Sequence, residues 1–518
     1  MNTAETTASL PVRPRSRKWI TAALMMVMVL ASFETTITAT AMPTIVGDLR
    51  GIEHYAWVAT VYLLASTLSM PLYGRLADIF GRKRVLLFAI GLFSAGSLLA
   101  ATSTSMTLLI LYRALQGLGA GGIMPVVLTI LGDVFTLKER ARIQALFSAV
   151  WGTAALAGPA LGALLVKTLG WPSIFYITLP AAIASATILI ITYHEHHQRA
   201  VSDEPLVARL DVPGLLTGGI GVTALLAGIS IWSNPGMFWL WPTLLLIVAL
   251  VSLLVFGRLE KAARHPILPP SFLTHRAIGP ALIASGTLGV AVFSLDTYVP
   301  LYVQAARGGD AAAAAATVTP VMLAWATSGI VAAPLLIRWG FRKLAVVGAT
   351  LVVGSFAALV ICDVVSAPLL VLTAVLFVAG FGFGPSSMAS LLSAQEAVHY
   401  EQRGLVTSGI TFFRNLGGAL GIALFGTLFN TLTVAPFAAL AKDKPFTPAD
   451  LLSEHGLANL RAKEPELLRA AQQLTGHALL WVFVAMLVVA LVQLVVSRLL
   501  PQRSREHVTG VQAEAAAV

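Results

Sequence analysis

"GRLADIFGRKR", residues 74–84, joins two long apolar runs of the sequence. It carries an acid, Asp78, in its first half and ends on three cations at positions 82–84. An acid placed there can cap the N-terminus of a nearby helix, because the helix dipole favours an anion at that end. Asp133 ends a later apolar run, and Arg82 is expected to pair with it. Orientation of a membrane protein by positive charge would explain the cations but not the acid or the glycines.

The composition identifies the class of protein. The chain has 518 residues, of which 57% are hydrophobic and 11% are charged. Soluble globular proteins carry about 25% charged residues, so the sequence predicts an all-α polytopic membrane protein. The single cysteine, Cys362, excludes an intrachain disulfide and a multi-cysteine metal site.

Membrane spans are predicted wherever about 20 mostly apolar residues follow one another. The first run could be a secretory signal, since it follows four basic residues, but it is too long and contains an acid, which favours an uncleaved span. Fourteen spans are predicted: 19–41, 57–79, 85–102, 106–132, 144–166, 173–193, 212–232, 238–257, 278–303, 316–337, 344–363, 369–394, 405–430 and 477–497.

The basic residues predict the orientation of these spans. With the N-terminus inside, cytoplasmic segments hold 24 of the 34 Lys and Arg residues, and the short outer loops hold three. This excess follows the positive-inside rule. It also suits an anionic inner leaflet of the lipid bilayer and requires no nucleic acid as a partner. We therefore expect the protein in the cytoplasmic (inner) membrane, with both termini in the cytoplasm.

A shift of 263 residues relates the two halves of the sequence. It places Gly117, Gly119 and Gly121 on Gly380, Gly382 and Gly384, Pro71 on Pro334, and Arg140 on Arg403. Such duplication is common in transporters. The predicted domains are a cytoplasmic tail 1–18, a six-helix bundle 19–193, a linker 194–277 with two extra spans, a second six-helix bundle 278–497 with an extracytoplasmic loop at 431–476, and a cytoplasmic tail 498–518.

Two other motifs admit more than one interpretation. Residues 117–122 match G-x-G-x-x-G, but the glycines lie inside an apolar span, which favours helix packing over a nucleotide site. Residues 194–197, HEHH, could bind a metal or form a solvated loop, and the loop is favoured. The sequence contains no Walker A run for ATP. We therefore expect no cofactor and no metal, and a transporter without a nucleotide site must either draw on an ion gradient, such as a proton gradient, or let its solute equilibrate.

Several segments together resemble the major facilitator superfamily, and in particular its fourteen-span drug:proton antiporters. The resemblance implies two six-helix bundles around a central cavity, plus two extra central spans, with alternating access. The family usually has Asp where Glu34 stands. The segments are the opening loop, LYRALQGLGAGG at 111–122, AGPALGA at 157–163, FETTITATAMP at 33–43 and FFRNLGGALG at 412–421. By this resemblance, the conformational gate comprises Gly74, Asp78, Gly81, Arg82, Lys83 and Asp133, and the antiporter motif comprises Gly152, Gly158, Pro159 and Gly162.

Four ionisable residues lie within predicted spans, where charges are costly and mark ion or substrate pathways by default. The simpler alternative is a structural ion pair. At about 1.5 Å per helical residue, Glu34 and Arg113 come to similar depths and could meet. We predict proton coupling by Glu34, Asp296 and Arg113. The predicted substrate cavity comprises Arg414 with Trp151, Tyr298, Trp325, Phe412, Phe413 and Asn415.

The sequence thus predicts a proton-coupled exporter of amphiphilic, cationic drugs or toxic metabolites, with no enzymatic activity. One alternative is a proton symporter or a dedicated metabolite exporter on the same fold. A remote alternative is a membrane-embedded enzyme, which would need a nucleophile or metal constellation. Substrate identity, and whether a periplasmic adaptor is a partner, stay open.

Overall fold

The computed structural model describes residues 14–49, 55–194, 211–232, 239–264, 266–309, 311–398, 402–440 and 460–502. All regular secondary structure within these ranges is helical. In chain order the helices are α1 (Pro14–Leu49), α2 (Tyr55–Phe80), α3 (Arg82–Ala101), α4 (Met106–Val134), α5 (Leu137–Leu169), α6 (Ser173–Tyr176), α7 (Thr178–Thr192), α8 (Val212–Trp232), α9 (Leu240–Ala262), α10 (Pro270–Thr274), α11 (Ile278–Leu301), a π-helical turn (Tyr302–Ala306), α12 (Ala311–Val364), α13 (Leu369–Glu396), α14 (Arg403–Leu440) and α15 (Pro465–Ser497).

The predicted spans all fall on these helices, although 173–193 is divided between α6 and α7, and 278–303 continues from α11 into the π-helical turn. Two predicted spans, 316–337 and 344–363, share α12, which is interrupted where Gly340 adopts a positive φ of 77°. By length and composition alone, 11 helices of the described residues can cross a membrane. This number counts α12 once and does not include α2 or α5. An all-α membrane protein is therefore confirmed, while the number fourteen stays a prediction.

The chain divides into two compact units. Unit 1 consists of Met1–Ile143, Thr153–Leu206 and His399–Ser408, and unit 2 consists of Gln144–Gly152, Val207–Val398 and Gly409–Val518. Unit 1 thus holds α1–α4, most of α5, α6, α7 and the first turn of α14. The boundaries predicted for the bundles and tails stay predictions.

The glycines of α4 pack this helix against both of its neighbours. A methyl group at Gly117 or Gly121 would overlap α2, at Tyr62 and Ser69 respectively. A methyl group at Gly119 would overlap Phe93 on α3. Close helix packing therefore accounts for the G-x-G-x-x-G run, as glycine does in many membrane helices.

The matching glycines of α13 make the same contacts in unit 2. A methyl group at Gly380 or Gly384 would overlap the part of α12 that precedes Gly340, whereas one at Gly382 would overlap the part that follows it. Each half thus packs its fourth predicted span against its second and third in the same pattern. This agreement supports the duplication inferred from the 263-residue shift.

The helices around the predicted loop 431–476 are longer than the sequence suggested. Helix α14 continues to Leu440, and α15 already begins at Pro465. An apolar cluster explains the extensions, because Phe437 of α14 packs with Leu467, Leu468 and Ala471 of α15 and with Ala305. The predicted ends came from a 20-residue span length, which takes no account of burial beyond it. In the same way α1 begins at Pro14, inside the predicted tail 1–18.

Local capping fixes the start of α5. Thr136 and Glu139 form a capping box, in which each side chain bonds the backbone N–H of the other residue. Arg17 donates to Glu139 Oε1 over 3.4 Å. Burial acts to raise the pKa of Glu139, but the hydrogen bonds from Thr136 and the charges of Arg17 and Arg142 outweigh it and lower the pKa below its ordinary value.

Candidate functional site

A buried ion pair joins α1 to α4 in unit 1. Arg113 donates from Nη1 to Glu34 Oε1, and the two side chains are 3% and 1% exposed respectively. Charges inside a membrane segment are costly unless they are paired or face a cavity. The depth estimate from the sequence anticipated this meeting of the two side chains.

Three further side chains complete the cluster. Thr38 donates from Oγ1 to Glu34 Oε1 over 3.1 Å, and Arg113 Nη1 donates to Gln116 Oε1 over 2.7 Å. The Tyr62 ring lies 4.2 Å from Arg113 Cζ, a distance typical of a cation–π contact. The sequence reasoning missed all three. Thr38 and Gln116 follow the charged residues by four and three positions, a spacing that shares one helix face, whereas Tyr62 has no local signal.

The cluster has unused hydrogen-bonding capacity. Glu34 Oε2, Arg113 Nε and Gln116 Nε2 are buried and have no hydrogen-bond partner in the part of the chain that the structure describes. Glu34 can therefore accept a proton at Oε2 while Oε1 keeps its contacts. Arg113 would keep the Gln116 carbonyl and the Tyr62 ring as partners, so the neutral acid would not leave an isolated cation.

The antiporter-motif glycines lie along α5, and one of them contacts α1 next to the cluster. A methyl group at Gly158 would overlap the Thr36 side chain, two residues from Glu34. Gly152 approaches Ala326 of α12 within unit 2. Gly162 is buried, and the side chain of Pro159 lies outside the described set. The family role of these positions stays a prediction, but at Gly158 the reason for glycine is steric.

Gly158→Val is expected to lower transport about tenfold while the protein still reaches the membrane. The added side chain would push α5 away from α1 near Glu34, and such overpacking costs about 1–3 kcal/mol. Gly354→Val is a matched control, because a Cβ at Gly354 meets nothing within 4 Å. Transport and membrane abundance of both variants would be measured together. Wild-type transport by Gly158→Val would contradict the steric argument.

A second charged cluster surrounds the segment quoted at the outset. Arg82 is fully buried, and its Nε donates to Asp133 Oδ2 over 3.0 Å while its Nη2 lies 3.1 Å from Asp78 Oδ1. Gly81, with φ 93°, makes the turn that separates α2 from α3, a conformation that glycine adopts at little cost. Lys83 donates instead to the carbonyl of Ile190 over 2.8 Å. The expected pairing of Arg82 with Asp133 is thus present.

The start of α14 lies against this second cluster. Arg403 donates to the carbonyl of Gly132 over 2.8 Å and lies 3.9 Å from Asp133 Oδ1. The Asp78 carboxylate faces the first turn of α14, where a methyl group at Gly404 would contact its Oδ1. Gly74 leaves room for Ser408. Asp78 therefore lies at a helix N-terminus, where the dipole favours an anion.

The charged residues of unit 2 are arranged differently from those of unit 1. Asp296 on α11 is exposed, and Arg414 on α14 is half-buried. Neither has an ion pair or a hydrogen bond in the described ranges. The backbone of Arg414 packs closely on Gly289, where a methyl group would overlap its carbonyl oxygen. Asp296 thus lacks the buried arginine partner that Glu34 has.

Most of the predicted cavity aromatics have packing contacts. Tyr298 donates to the Ile422 carbonyl over 2.6 Å, and Trp325 packs edge to face with Phe383 at 5.8 Å between ring centroids. Phe412 and Phe413 form an edge-to-face pair at 5.8 Å. Of the remaining candidates, Trp151 is 37% exposed and Asn415 is half-buried. A substrate role for these residues stays a prediction. Of the HEHH segment, only His194 is among the described residues.

The sequence profile described as Major Facilitator Superfamily matches residues 24–422. The chain belongs to this superfamily. It is 33% identical over 408 residues to the multidrug transporter protein MdtP of Bacillus subtilis (strain 168), covering 79% of this chain and 74% of that protein. It is 30% identical over 419 residues to multidrug resistance protein 3 of the same strain, covering 80% of each. As members of the superfamily are transporters, the alternative of a membrane-embedded enzyme is excluded.

Solved structures show the same superfamily fold. The human organic anion transporter MFSD10 (TETRAN) matches with a TM-score of 0.59 at 14% identity, covering 92% of this chain and 100% of that chain. The proton:xylose symporter XylE bound to 6-bromo-6-deoxy-D-glucose matches with a TM-score of 0.56 at 13% identity, covering 92% of this chain and 94% of that chain. Sequence identities this low support the fold alone.

Proposed function

We propose that the chain is a proton-coupled antiporter that exports amphiphilic, cationic drugs or toxic metabolites by alternating access. The similarity to two multidrug proteins supports drug transport by a member of this superfamily. The observation that carries proton coupling is the buried Glu34–Arg113 pair, whose carboxylate keeps one oxygen free for a proton.

Proton coupling requires that Glu34 bind its proton with different affinity in the two facing states. A ligand shifts a conformational equilibrium only by its differential affinity for the two states. In the ionised pair, Glu34 holds Arg113 on α1. After protonation that attraction is lost, and Arg113 rests on Gln116 and Tyr62 of α4 and α2. The link between α1 and α4 therefore weakens when the proton binds.

A cationic substrate would act on the same carboxylate. A positive charge near Glu34 favours its ionised form and so promotes proton release. Substrate and proton would then occupy the cavity in turn, as antiport requires. Asp296, on α11, is the second candidate acid.

A dedicated metabolite exporter on the same fold is the second candidate. One relative, 29% identical over 416 residues, is named as the MFS-type transporter of the acurin A biosynthesis cluster of Aspergillus aculeatus. Proton symport on this fold also remains to be tested. We also propose that the protein lies in the cytoplasmic membrane with both termini in the cytoplasm. Export of drugs from there would give it a role in antibiotic resistance.

The experiment uses purified protein in liposomes with ethidium as the cationic probe. An acidic liposome interior favours antiport, because protons leave as ethidium enters. This pH gradient is expected to drive ethidium into the liposomes against its concentration gradient. Collapse of the pH gradient with nigericin is expected to stop the uptake. An ethidium gradient should reciprocally drive proton movement in the opposite direction, which a trapped pH dye reports.

The same assay separates the alternatives. Proton movement in the same direction as ethidium would identify symport. Ethidium transport that does not respond to the pH gradient would contradict proton coupling. Failure of ethidium and of a panel of other amphiphilic cations, with transport of one metabolite, would identify a dedicated exporter.

A further inference from the structure

The two extra helices, α8 and α9, form a closely packed hairpin within unit 2. A stripe of glycines on α8 permits this packing, because a Cβ at Gly218, Gly221 or Gly228 would contact Phe256, Leu253 or Leu246 of α9. Such small-residue stripes bring membrane helices into close approach. Gly214 is the first glycine of the stripe, and the side chains facing it are two acids rather than apolar groups.

One carboxylate oxygen of each acid accepts a hydrogen bond from a backbone N–H group. Asp211 precedes α8 and accepts from the Gly214 N–H at Oδ1 over 2.9 Å, which makes it the N-cap of the helix. Glu260, near the end of α9, accepts from the Leu268 N–H at Oε2 over 3.0 Å. These contacts account for half of the four carboxylate oxygens.

The other two oxygens face the same place. A Cβ on Gly214 would touch both Asp211 Oδ2 and Glu260 Oε1. Both atoms are buried without a hydrogen-bond donor among the described residues, and Glu260 is 2% exposed. The two carboxyl groups are within hydrogen-bonding reach of each other, but a hydrogen bond between them needs a proton on one of them. Two adjacent carboxylates in a buried place cannot both stay ionised without a cation between them.

Among the described residues, no cationic side chain forms an ion pair with either acid. Helix α8 contains no charged residue. Arg258 and Lys261, both in α9, are exposed and form no ion pair with either acid in the described part of the chain. The described residues also offer no third His, Cys, Asp or Glu that would complete a metal site. Calcium and magnesium take six or more oxygen ligands, so a pair of free oxygens fits a proton better.

We propose that Asp211 and Glu260 form a proton-binding site in which one proton is shared between Oδ2 and Oε1. The bound proton fastens the start of α8 to the end of α9 and to the segment that begins at Ile267. Loss of this proton leaves two buried negative charges facing each other, which pushes that end of the hairpin apart. The site is separate from Glu34 and does not depend on the proposed antiport.

The sign of the pH effect follows from proton linkage. With a proton shared as proposed, the folded chain binds one proton that an unfolded chain releases above about pH 5. Because the folded state binds more protons, its stability falls as pH rises through the titration of the pair. A difference of one proton changes the unfolding equilibrium constant about tenfold per pH unit.

Infrared difference spectroscopy on the full chain in lipid nanodiscs tests the site directly. The wild type is expected to show the C=O stretching band of a protonated carboxyl that disappears when the pH is raised. That component should be missing from Glu260→Gln and from Asp211→Asn, since an amide can donate to the remaining carboxylate in place of the proton. Glu466→Gln, an exposed acid at the start of α15, is the matched control and should keep the band.

Thermal unfolding of the same samples gives a second readout. The wild type should lose stability as pH rises, whereas the two amide variants should have a flatter profile and exceed the wild type at high pH. If the two acids only form hydrogen bonds and share no proton, stability should depend on pH with the same slope in the wild type and in both amide variants. Equal slopes, or an infrared band that is unchanged in the two amide variants, would overturn the proposal. Stabilisation of the wild type alone by calcium or magnesium would also overturn it in favour of a metal site.

Discussion

Arg82→Ala is expected to abolish efflux while the protein still inserts into the membrane. Arg82 is the cation between Asp78 and Asp133, whose side chains are 7% and 3% exposed. Its removal leaves two buried carboxylates without their common partner. Breaking a buried ion pair on one side costs about 3–5 kcal/mol, and about 1.4 kcal/mol changes an equilibrium tenfold. The state that contains this cluster should therefore lose at least a hundredfold in population.

The measurement compares ethidium efflux with membrane abundance. Arg84→Ala removes an exposed cation from the same segment and is the matched control. Asp78→Asn is also expected to lose efflux, because a neutral amide interacts less favourably with the helix dipole at the start of α14. Normal efflux by Arg82→Ala or Asp78→Asn would show that the cluster has no gating role.

A double variant tests whether the effect of Arg82→Ala arises from its interaction with Asp133. In Arg82→Ala combined with Asp133→Asn, one of the two carboxylates that lose Arg82 is replaced by a neutral amide, so part of the cost should be recovered. Residues in one network are expected to be coupled by about 0.5–3 kcal/mol. Strictly additive effects of the two substitutions would contradict a direct interaction between Arg82 and Asp133.

The sequence predicted the contacts that follow from helical geometry. Arg113 could be placed near Glu34 because a helix rises by a constant amount per residue. Arg82 could be placed near Asp133 because it precedes the run 85–102 and Asp133 follows the next run, which puts both on the same side of the membrane. The glycines at 117–121 and 380–384 predicted close packing, since a missing side chain inside a membrane helix implies an approaching neighbour. Each of these predictions uses only local spacing and position in the membrane.

The sequence could not predict contacts between distant segments. Tyr62 lies under Arg113 only because α2 packs on α4, and no periodicity of the chain indicates it. The 263-residue shift singled out Arg403, but its bond to Gly132 joins residues 271 positions apart. The pair of Asp211 and Glu260 was missed for the same reason, since Asp211 alone resembles an ordinary helix cap and Glu260 lies on a different helix. Helix ends near 431–476 depended on an apolar cluster that span length does not reveal.

Glu34→Gln is expected to remove uphill efflux, most severely for cationic compounds, while substrate binding partly persists. Glutamine retains the size of the side chain and can accept from Thr38 and Arg113 at its carbonyl oxygen. It fixes the neutral form, however, so the pair no longer changes charge between the two facing states. A change of only about 1.4 kcal/mol in their relative free energy alters their ratio tenfold, and we expect at least that loss of pumping.

Two further variants define the role of the pair. Glu34→Asp keeps the ionisable group and should retain most activity. Arg113→Ala should remain in the membrane but lose the response to a pH gradient. Without Arg113, protonation of Glu34 no longer breaks an ion pair, so it no longer changes the relative free energy of the two facing states. If Arg113→Ala instead disappears from the membrane, the pair is structural and holds α1 to α4.

Counterflow and active transport in liposomes distinguish coupling from binding in Glu34→Gln. Asp48→Asn, an exposed acid near the end of the same helix, controls for a general effect of charge removal. The variant is expected to exchange ethidium down its gradient and to be insensitive to the pH gradient. Since Glu34 Oε2 is the free atom that would receive the proton, wild-type pumping of ethidium against its gradient by Glu34→Gln would rule out Glu34 as the coupling acid. Asp296 would then have to carry the proton alone, and Asp296→Asn should abolish the pumping that remained.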